Sequence, residues 1–231
     1  MVLVVTCEHG GNSIPEEFLP VFHDARDALA SHRGYDPGAL ELAREFARTF
    51  DAPLLFETRS RLLIELNRTL GHPRIFSEFS RRLPKAVQDR LIEEIYEPYR
   101  QSVIDRVSTS LQAGPVLHLS VHSFTPVMKE KIRRTEIGIL FDPASPLEAS
   151  VARKWKAALR RTFSDLVIEF NRPYRGTSDG LTTALRKKFA GQNYAGIELE
   201  VNQKFPLEGG SRWETLMTGI TTSLDPCLNV D

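Results

Sequence analysis

Residues 117–124 read Leu-His-Leu-Ser-Val-His-Ser-Phe. Side chains alternate along an extended chain, so Leu117, Leu119 and Val121 share one face while His118, Ser120 and His122 share the other. The stretch 196–202, Gly-Ile-Glu-Leu-Glu-Val-Asn, repeats the pattern: Ile197, Leu199 and Val201 oppose Glu198 and Glu200. Further strands are expected at 2–7, 53–57, 62–66, 116–122, 136–141, 167–170 and 195–201. Between them lie helical patterns. Asp36-Pro37 opens one, with Asp as N-cap and Pro in the first turn. Its Ala39, Leu42, Ala43, Phe46, Ala47 and Phe50 fall on one helical face. A long helix is expected from 85 to about 111, with Val87, Leu91, Ile95, Tyr99, Val103 and Val107 as its inner stripe. Others are expected at 147–162, at 181–189 and from Arg212 onward. Strands alternating with helices imply an α/β fold, a single domain with a mixed, mostly parallel sheet covered by helices on both faces. In such sheets ligands bind beyond the carboxyl ends of the strands, which is where polar residues should gather.

Composition narrows the function. The 231 residues are 41% hydrophobic and 26% charged, which is ordinary for a globular chain and excludes disorder. Lys+Arg 30 balances Asp+Glu 30, so the broad positive field of a nucleic-acid binder is missing and no nucleic-acid partner is expected. Cys7 and Cys227 are too few for a disulfide framework, which favours a reducing cytoplasm. The start, Met-Val-Leu-Val-Val-Thr, lacks a basic region and a long apolar run, so no signal peptide is expected. No run of ~18 apolar residues is present to cross a membrane.

Four segments carry chemistry. In Thr6-Cys7-Glu8-His9-Gly10-Gly11-Asn12 an apolar strand runs into Glu-His and two glycines, which permit a sharp turn and close approach to a ligand. His9 is either a surface residue at this corner or a metal ligand with Asn12 or Glu8 nearby. His118 and His122 are separated by ~13 Å of strand, too far for one metal, so at most one joins His9. His122, at the strand's carboxyl end, is the better candidate; His118 reads as a hydrogen-bonded core histidine. Glu198 and Glu200 either face solvent from an edge strand or, for Glu200, supply a general base. In Ser60-Arg61-Leu62-Leu63-Ile64-Glu65-Leu66-Asn67-Arg68, Arg61 and Arg68 are suited to an anionic substrate, although an Arg61–Glu65 surface pair is the plain alternative. Together these segments suit a metal-assisted amide hydrolase acting on a carboxylated substrate.

Cys7-Glu8-His9-Gly10-Gly11-Asn12-Ser13-Ile14-Pro15, Ser60-Arg61 through Leu66-Asn67-Arg68, His122-Ser123-Phe124-Thr125-Pro126 and Glu198-Leu199-Glu200-Val201 resemble, in order, the motifs of the N-formylglutamate amidohydrolase family. That family is distantly similar to the zinc carboxypeptidases and succinylglutamate desuccinylases. The resemblance implies a zinc-carboxypeptidase-like (phosphorylase/hydrolase-like) sheet sandwiched by helices. It also implies zinc, or another divalent metal, held by His9 and His122, and a small carboxylated N-acyl amino acid as substrate. Asn67 and Arg68 correspond to the grip on the substrate carboxylate, with Arg61 in support and beside the developing oxyanion. Glu200 corresponds to the general acid/base. The relatives carry Glu three residues after the first histidine where this chain has Asn12, so Asp36, Asn12 and Glu8 are all candidates for the third ligand. The stretch His32-x-x-x-Asp36-x-Gly38 resembles a family feature and favours Asp36, against its plain reading as a helix cap. Glu65 stands where the family is expected to show Asp. Tyr174 and Asp179 lie in a loop, 172–180, that resembles one closing over the substrate; a Gly/Pro-rich surface turn is its plain reading. The implied reaction is hydrolysis of an N-formyl amino acid such as N-formyl-L-glutamate. The alternatives are a hydrolase of another N-acyl amino acid or small peptide, and a non-catalytic carboxylate- or metal-binding relative.

Overall fold

The alternating runs become the strands of one six-stranded sheet. The computed structural model describes residues 1–228. Strands β1 (Val2–Cys7), β2 (Leu54–Phe56) and β3 (Val116–Phe124) are followed by a two-stranded hairpin, β4 (Val127–Met128) and β5 (Lys131–Ile132). Then come β6 (Ile137–Leu140), β7 (Ile168–Phe170) and β8 (Tyr194–Asn202). The sheet order is β2-β1-β3-β8-β6-β7. The first four run parallel, β6 lies antiparallel to β8, and β7 is parallel to β6. The α/β fold with a mixed, mostly parallel sheet is thereby shown. Glu198 and Glu200 do not lie on an edge, because β8 is central between β3 and β6.

The helices are α1 (Arg26–Ala30), α2 (Ala39–Phe50), α3 (Lys85–Leu91), α4 (Glu97–Ala113), α5 (Pro146–Thr162), α6 (Leu181–Lys188), α7 (Lys204–Glu208), α8 (Gly210–Thr222) and α9 (Asp225–Leu228). None of the described helices is long and apolar enough to cross a membrane. On one side of the sheet, α2, α5 and α8 bury Leu42, Phe46, Trp155, Leu159 and Leu216 against Leu117, Leu119, Val121, Ile197 and Leu199. On the other side, α3, α4 and α6 close a second core around Val4, Val103, Val107, Val116, Leu181 and Leu185. Burying each such Leu, Val or Phe contributes about 1.5–3 kcal/mol. Phe46 meets Trp155 edge-on at 6.1 Å between ring centroids, so α2 and α5 share one aromatic contact.

Three expectations are corrected. The segment 62–66 forms no strand. Leu62, Leu63 and Ile64 are all buried in succession, and a strand would have turned Leu63 toward the polar face. The chain instead turns, with Leu63 N donating to Ser60 O and Glu65 N to Ile75 O, both at 2.9 Å. Asp36 is not a helix cap. Gly38, at φ 78°, occupies that position before α2, and the Asp36 side chain is free to turn inward. The long helix is interrupted between α3 and α4 by a π-helical turn, Ile92–Tyr96.

Candidate active site

Along β1, β3 and β8, the face turned toward α4 and α6 changes from apolar to polar as the strands run to their carboxyl ends. Val4, His118 and Gly196 stand in one register row, Thr6, Ser120 and Glu198 in the next, and His122 with Glu200 beyond them. His118 is fully buried, with Nε2 2.9 Å from Thr6 Oγ1 and Nδ1 2.7 Å from Tyr194 Oη. It lies below the site, and burial lowers its pKa to about 4.

At the strand ends, the rings of His9 and His122 come within 5.0 Å of each other. Nδ1 of each faces the same oxygen, Asp36 Oδ2, at 3.2 Å for His9 and 2.9 Å for His122. The three residues offer ligand atoms that all lie within 4.8 Å of one another. All three are buried. The far nitrogens are also engaged. His9 Nε2 lies 2.5 Å from Glu65 Oε1, and His122 Nε2 lies 3.1 Å from Glu8 Oε2 and 2.9 Å from Ser120 Oγ. Tyr99 and Ser120 donate to the two oxygens of Glu8 at 2.9 and 2.6 Å.

Burial by itself would raise these carboxyls. The His9, His122 and Arg61 charges nevertheless hold Asp36 well below the usual carboxylate range. Arg61 and His9 do the same for Glu65, and His122 with Ser120 for Glu8. Two imidazoles and a carboxylate converging on one point, each imidazole backed by a second carboxylate, fit a zinc-type divalent ion and its outer hydrogen-bonding shell. Asn12 stands apart from this set. It is exposed, and its amide donates to Leu29 O at 3.0 Å, because the Gly10-Gly11 backbone runs along 57–58 and carries Asn12 outward. At Gly11 a Cβ would lie 2.4 Å from Thr58 O, so the glycine serves a close backbone approach.

A cavity of about 660 Å3 opens over the cluster, lined by His9, Asp36, Arg61, Asn67, Arg68, His122, Tyr174, Asp179 and Glu200 among others. Glu200 is buried, and its Oε2 has no hydrogen-bond partner among the described residues. Burial pushes its carboxyl up to about 8 against the pull of His122, with Asp36 and Glu198 adding to the rise. Its neighbour in β6 is Gly138, where a Cβ would lie 2.0 Å from Arg172 O and 3.3 Å from Glu200 Cβ. Only a residue without a side chain lets the 171–180 loop cross here beside Glu200.

Arg61 is not a surface partner of Glu65. Its Nε and one Nη donate to Glu65 Oε2 at 2.9 and 2.5 Å, and its other Nη donates to Asp36 Oδ1 at 3.3 Å. Asn67 Nδ2 lies 3.3 Å from His122 Nε2, and Asn67 Oδ1 accepts from Leu181 N at 2.7 Å. Arg68 donates to the backbone carbonyl of Asp179 and has no carboxylate partner among the described residues. The Asp179 carboxylate is taken by Thr69, through N at 3.1 Å and Oγ1 at 2.8 Å. Sequence reasoning set Glu65 beside Arg61 but not against His9, and it did not place Tyr99 in this network. The available signal for Glu65 was a carboxylate within an otherwise apolar run.

Comparison with known proteins adds the lineage. The gene product Atu2144 of Agrobacterium tumefaciens superposes with a TM-score of 0.83 at 24% identity, covering 98% of this chain and 90% of that one. An N-formylglutamate amidohydrolase from Ralstonia eutropha JMP134 superposes with a TM-score of 0.75 at 18% identity, covering 98% and 92%. Both are likenesses of fold. No curated protein matches the chain. The family model described as N-formylglutamate amidohydrolase matches residues 1–205, nearly the whole of the fold just described, and the chain belongs to that family.

Proposed function

We propose that this chain is a metal-dependent amidohydrolase that cleaves an N-formyl or related N-acyl amino acid, N-formyl-L-glutamate foremost, into the carboxylate of its acyl group, formate for the formyl compounds, and the free amino acid. The observation that carries the reading is the meeting of His9, Asp36 and His122 in one cavity with the unpartnered, buried carboxyl of Glu200. His9, Asp36 and His122 would hold zinc or another divalent ion, which supplies Lewis acidity and lowers the pKa of water at the site.

Glu200 accepts a proton from the attacking water as oxygen bonds to the acyl carbon. It then returns that proton to the departing amine nitrogen as the carbon–nitrogen bond breaks. Without a cation, burial pushes this carboxyl up to about 8, and a divalent ion held beside it would favour the ionised form that accepts the proton. Arg68 and the Asn67 amide bind the substrate carboxylate and so fix which bond is presented to Glu200. Arg61, tied to both Asp36 and Glu65, holds those two carboxylates in place and adds positive charge beside the reacting centre. Tyr174 and Asp179 bound the outer wall of the cavity, Asp179 by pinning the 171–180 loop to Thr69. The balance of charge argues against a nucleic-acid partner, and the substrate is a small carboxylated acyl amino acid in a reducing, cytoplasmic setting.

Metal content and kcat/KM across N-formyl, N-acetyl and N-succinyl amino acids test the reading. The expected result is about one tightly held divalent ion per chain, chelator-sensitive turnover and highest kcat/KM on the N-formyl compounds. A chain that binds metal yet hydrolyses none of them overturns it.

A further inference from the structure

Tyr174 Oη accepts a hydrogen bond from Arg133 at 3.0 Å, and this is its one hydrogen bond among the described residues. The Arg133 guanidinium sits 5.0 Å from the Tyr174 ring centroid and 5.6 Å from that of Phe124. Phe124 closes β3 two residues after His122. Arg133 follows the β4–β5 hairpin, and its backbone N donates to Pro126 O at 2.8 Å. The continuation of the strand that carries His122 therefore folds back to place a cation against the tyrosine of the opposite loop. Arg133 has no carboxylate partner among the described residues.

We propose that Arg133 is a positioning residue that makes the Tyr174 hydroxyl a hydrogen-bond donor to the acyl oxygen of the substrate. The proposal rests on the reading given under Proposed function. A phenol has one proton and two lone pairs, while guanidinium donates only. With a lone pair of Tyr174 taken by Arg133, the phenolic proton cannot be returned to that partner and is left for an acceptor elsewhere. Tyr174 lines the cavity and is 41% exposed, so water takes that proton in the absence of substrate and a bound acyl oxygen can take the place of the water. Burial raises the Tyr174 phenol, and Glu200 and Asp36 push it further, while Arg133 pulls it down. The backbone of Arg172, two residues before Tyr174, crosses Gly138 beside Glu200, and Arg133 also packs on Phe124, two residues after His122, so the phenol is held at the reacting end of the cavity. A donor held there before reaction begins stabilises an oxygen as it gains charge, without reorganisation at that moment. Paired with Arg133, the phenol is also a stronger donor than it would be alone.

The test compares wild type, Tyr174→Phe, Arg133→Met and the double variant on N-formyl-L-glutamate. Tyr174→Phe should lower kcat roughly 100-fold. Arg133→Met should lower it about tenfold. KM should stay nearly unchanged in both, the signature of an interaction made in the transition state. In the Tyr174→Phe background, Arg133→Met should cost nothing more, because its effect passes through the hydroxyl. Independent losses that multiply, an effect in KM alone, or an Arg133→Met enzyme with wild-type kcat would each overturn the proposal. Ultraviolet difference titration gives a readout free of turnover. The Tyr174 phenol, isolated by subtraction of the Tyr174→Phe variants, should move upward by about one pH unit in Arg133→Met. An unmoved phenol overturns the proposal as well. If the wild type cleaves none of the N-acyl amino acids, the functional reading fails and the donor role with it, and the titration then reports the Arg133–Tyr174 contact alone.

Discussion

Glu65 Oε1 lies 2.5 Å from Nε2 of His9, on the side of the imidazole away from Asp36. The same carboxylate receives Arg61 through two nitrogens and the backbone N of Asn67 at 2.9 Å. One residue of an irregular turn therefore sets the direction of a candidate metal ligand, a guanidinium and the start of the Asn67-Arg68 pair. A partner of this kind fixes the ring and its tautomer and raises the basicity of the ligating nitrogen.

Glu65→Gln should weaken divalent-metal affinity by about 10–100-fold. Competition with a chromophoric chelator measures it directly. Glutamine retains the length of the side chain but loses the charge that both His9 and Arg61 face, so metal affinity should fall while the metal-free chain still folds cooperatively. An unchanged affinity would show that Glu65 only packs against His9.

Glu200→Gln separates metal binding from proton transfer. The amide keeps the volume and cannot carry a proton between water and amine. Metal stoichiometry should match wild type while kcat falls by about 10²–10⁴-fold. Because burial costs the ionised form at this position, the neutral glutamine should also leave the fold at least as stable as wild type at high pH. A fully active variant would remove Glu200 from the mechanism.

The sheet was legible because its strands obey simple periods. Leu117 to Phe124 and Ile197 to Val201 alternate between an apolar core and a polar row, and α2 repeats its apolar residues at helical spacing. The convergence of His9 with His122 was legible through the rule that polar groups collect at strand ends and through the resemblance to the family's motifs. The segment 62–66 was misread because five successive buried residues satisfy a strand and a buried turn equally well, and local periodicity cannot separate them. Asp36 was ambiguous for a different reason. Its local pattern satisfies a helix cap, and only the tertiary approach of β3 shows that its carboxylate meets His122 instead. Glu8 and Glu65 were invisible as outer partners of the histidines because their distances along the chain carry no signature. Arg133 had no pattern at all: its contact with Tyr174 is created by a hairpin and a loop from separate parts of the sequence.

His118 gives a pH dependence of stability distinct from that of the carboxylates. Burial holds it neutral in the fold, with a pKa of about 4, against 6.5 when exposed. Between these values the unfolded chain binds the proton and the fold does not, so stability falls as pH drops from 6.5 to about 4. The window amounts to roughly 3 kcal/mol. His118→Gln retains hydrogen-bonding groups toward Thr6 and Tyr194 but does not titrate. Urea midpoints measured across this range should therefore fall less steeply with acid in the variant than in wild type. Parallel curves would show that His118 protonates as readily in the fold as outside it.

The partly buried Arg186 of α6 and the buried Glu148 of α5 form an ion pair beside the start of β8, at 2.7 Å between Nε and Oε1. The other Arg186 nitrogens donate to Gly176 O at 2.6 Å and Gly196 O at 2.7 Å, while Glu148 accepts from Gly196 N at 3.0 Å and Asp142 N at 2.7 Å. The pair thus ties the loop of Tyr174 and Asp179 to α5, α6 and the start of β8. Arg186→Met leaves the Glu148 carboxylate buried without its cation, and removing one partner of such a pair costs about 3–5 kcal/mol. The urea midpoint should drop accordingly with the slope of the transition unchanged. Adding Glu148→Met should cost less than the sum of the two single losses, because the uncompensated charge is gone. If the double variant is as unstable as the sum, the loss comes from the backbone carbonyls of Gly176 and Gly196, and the charge pair itself contributes little.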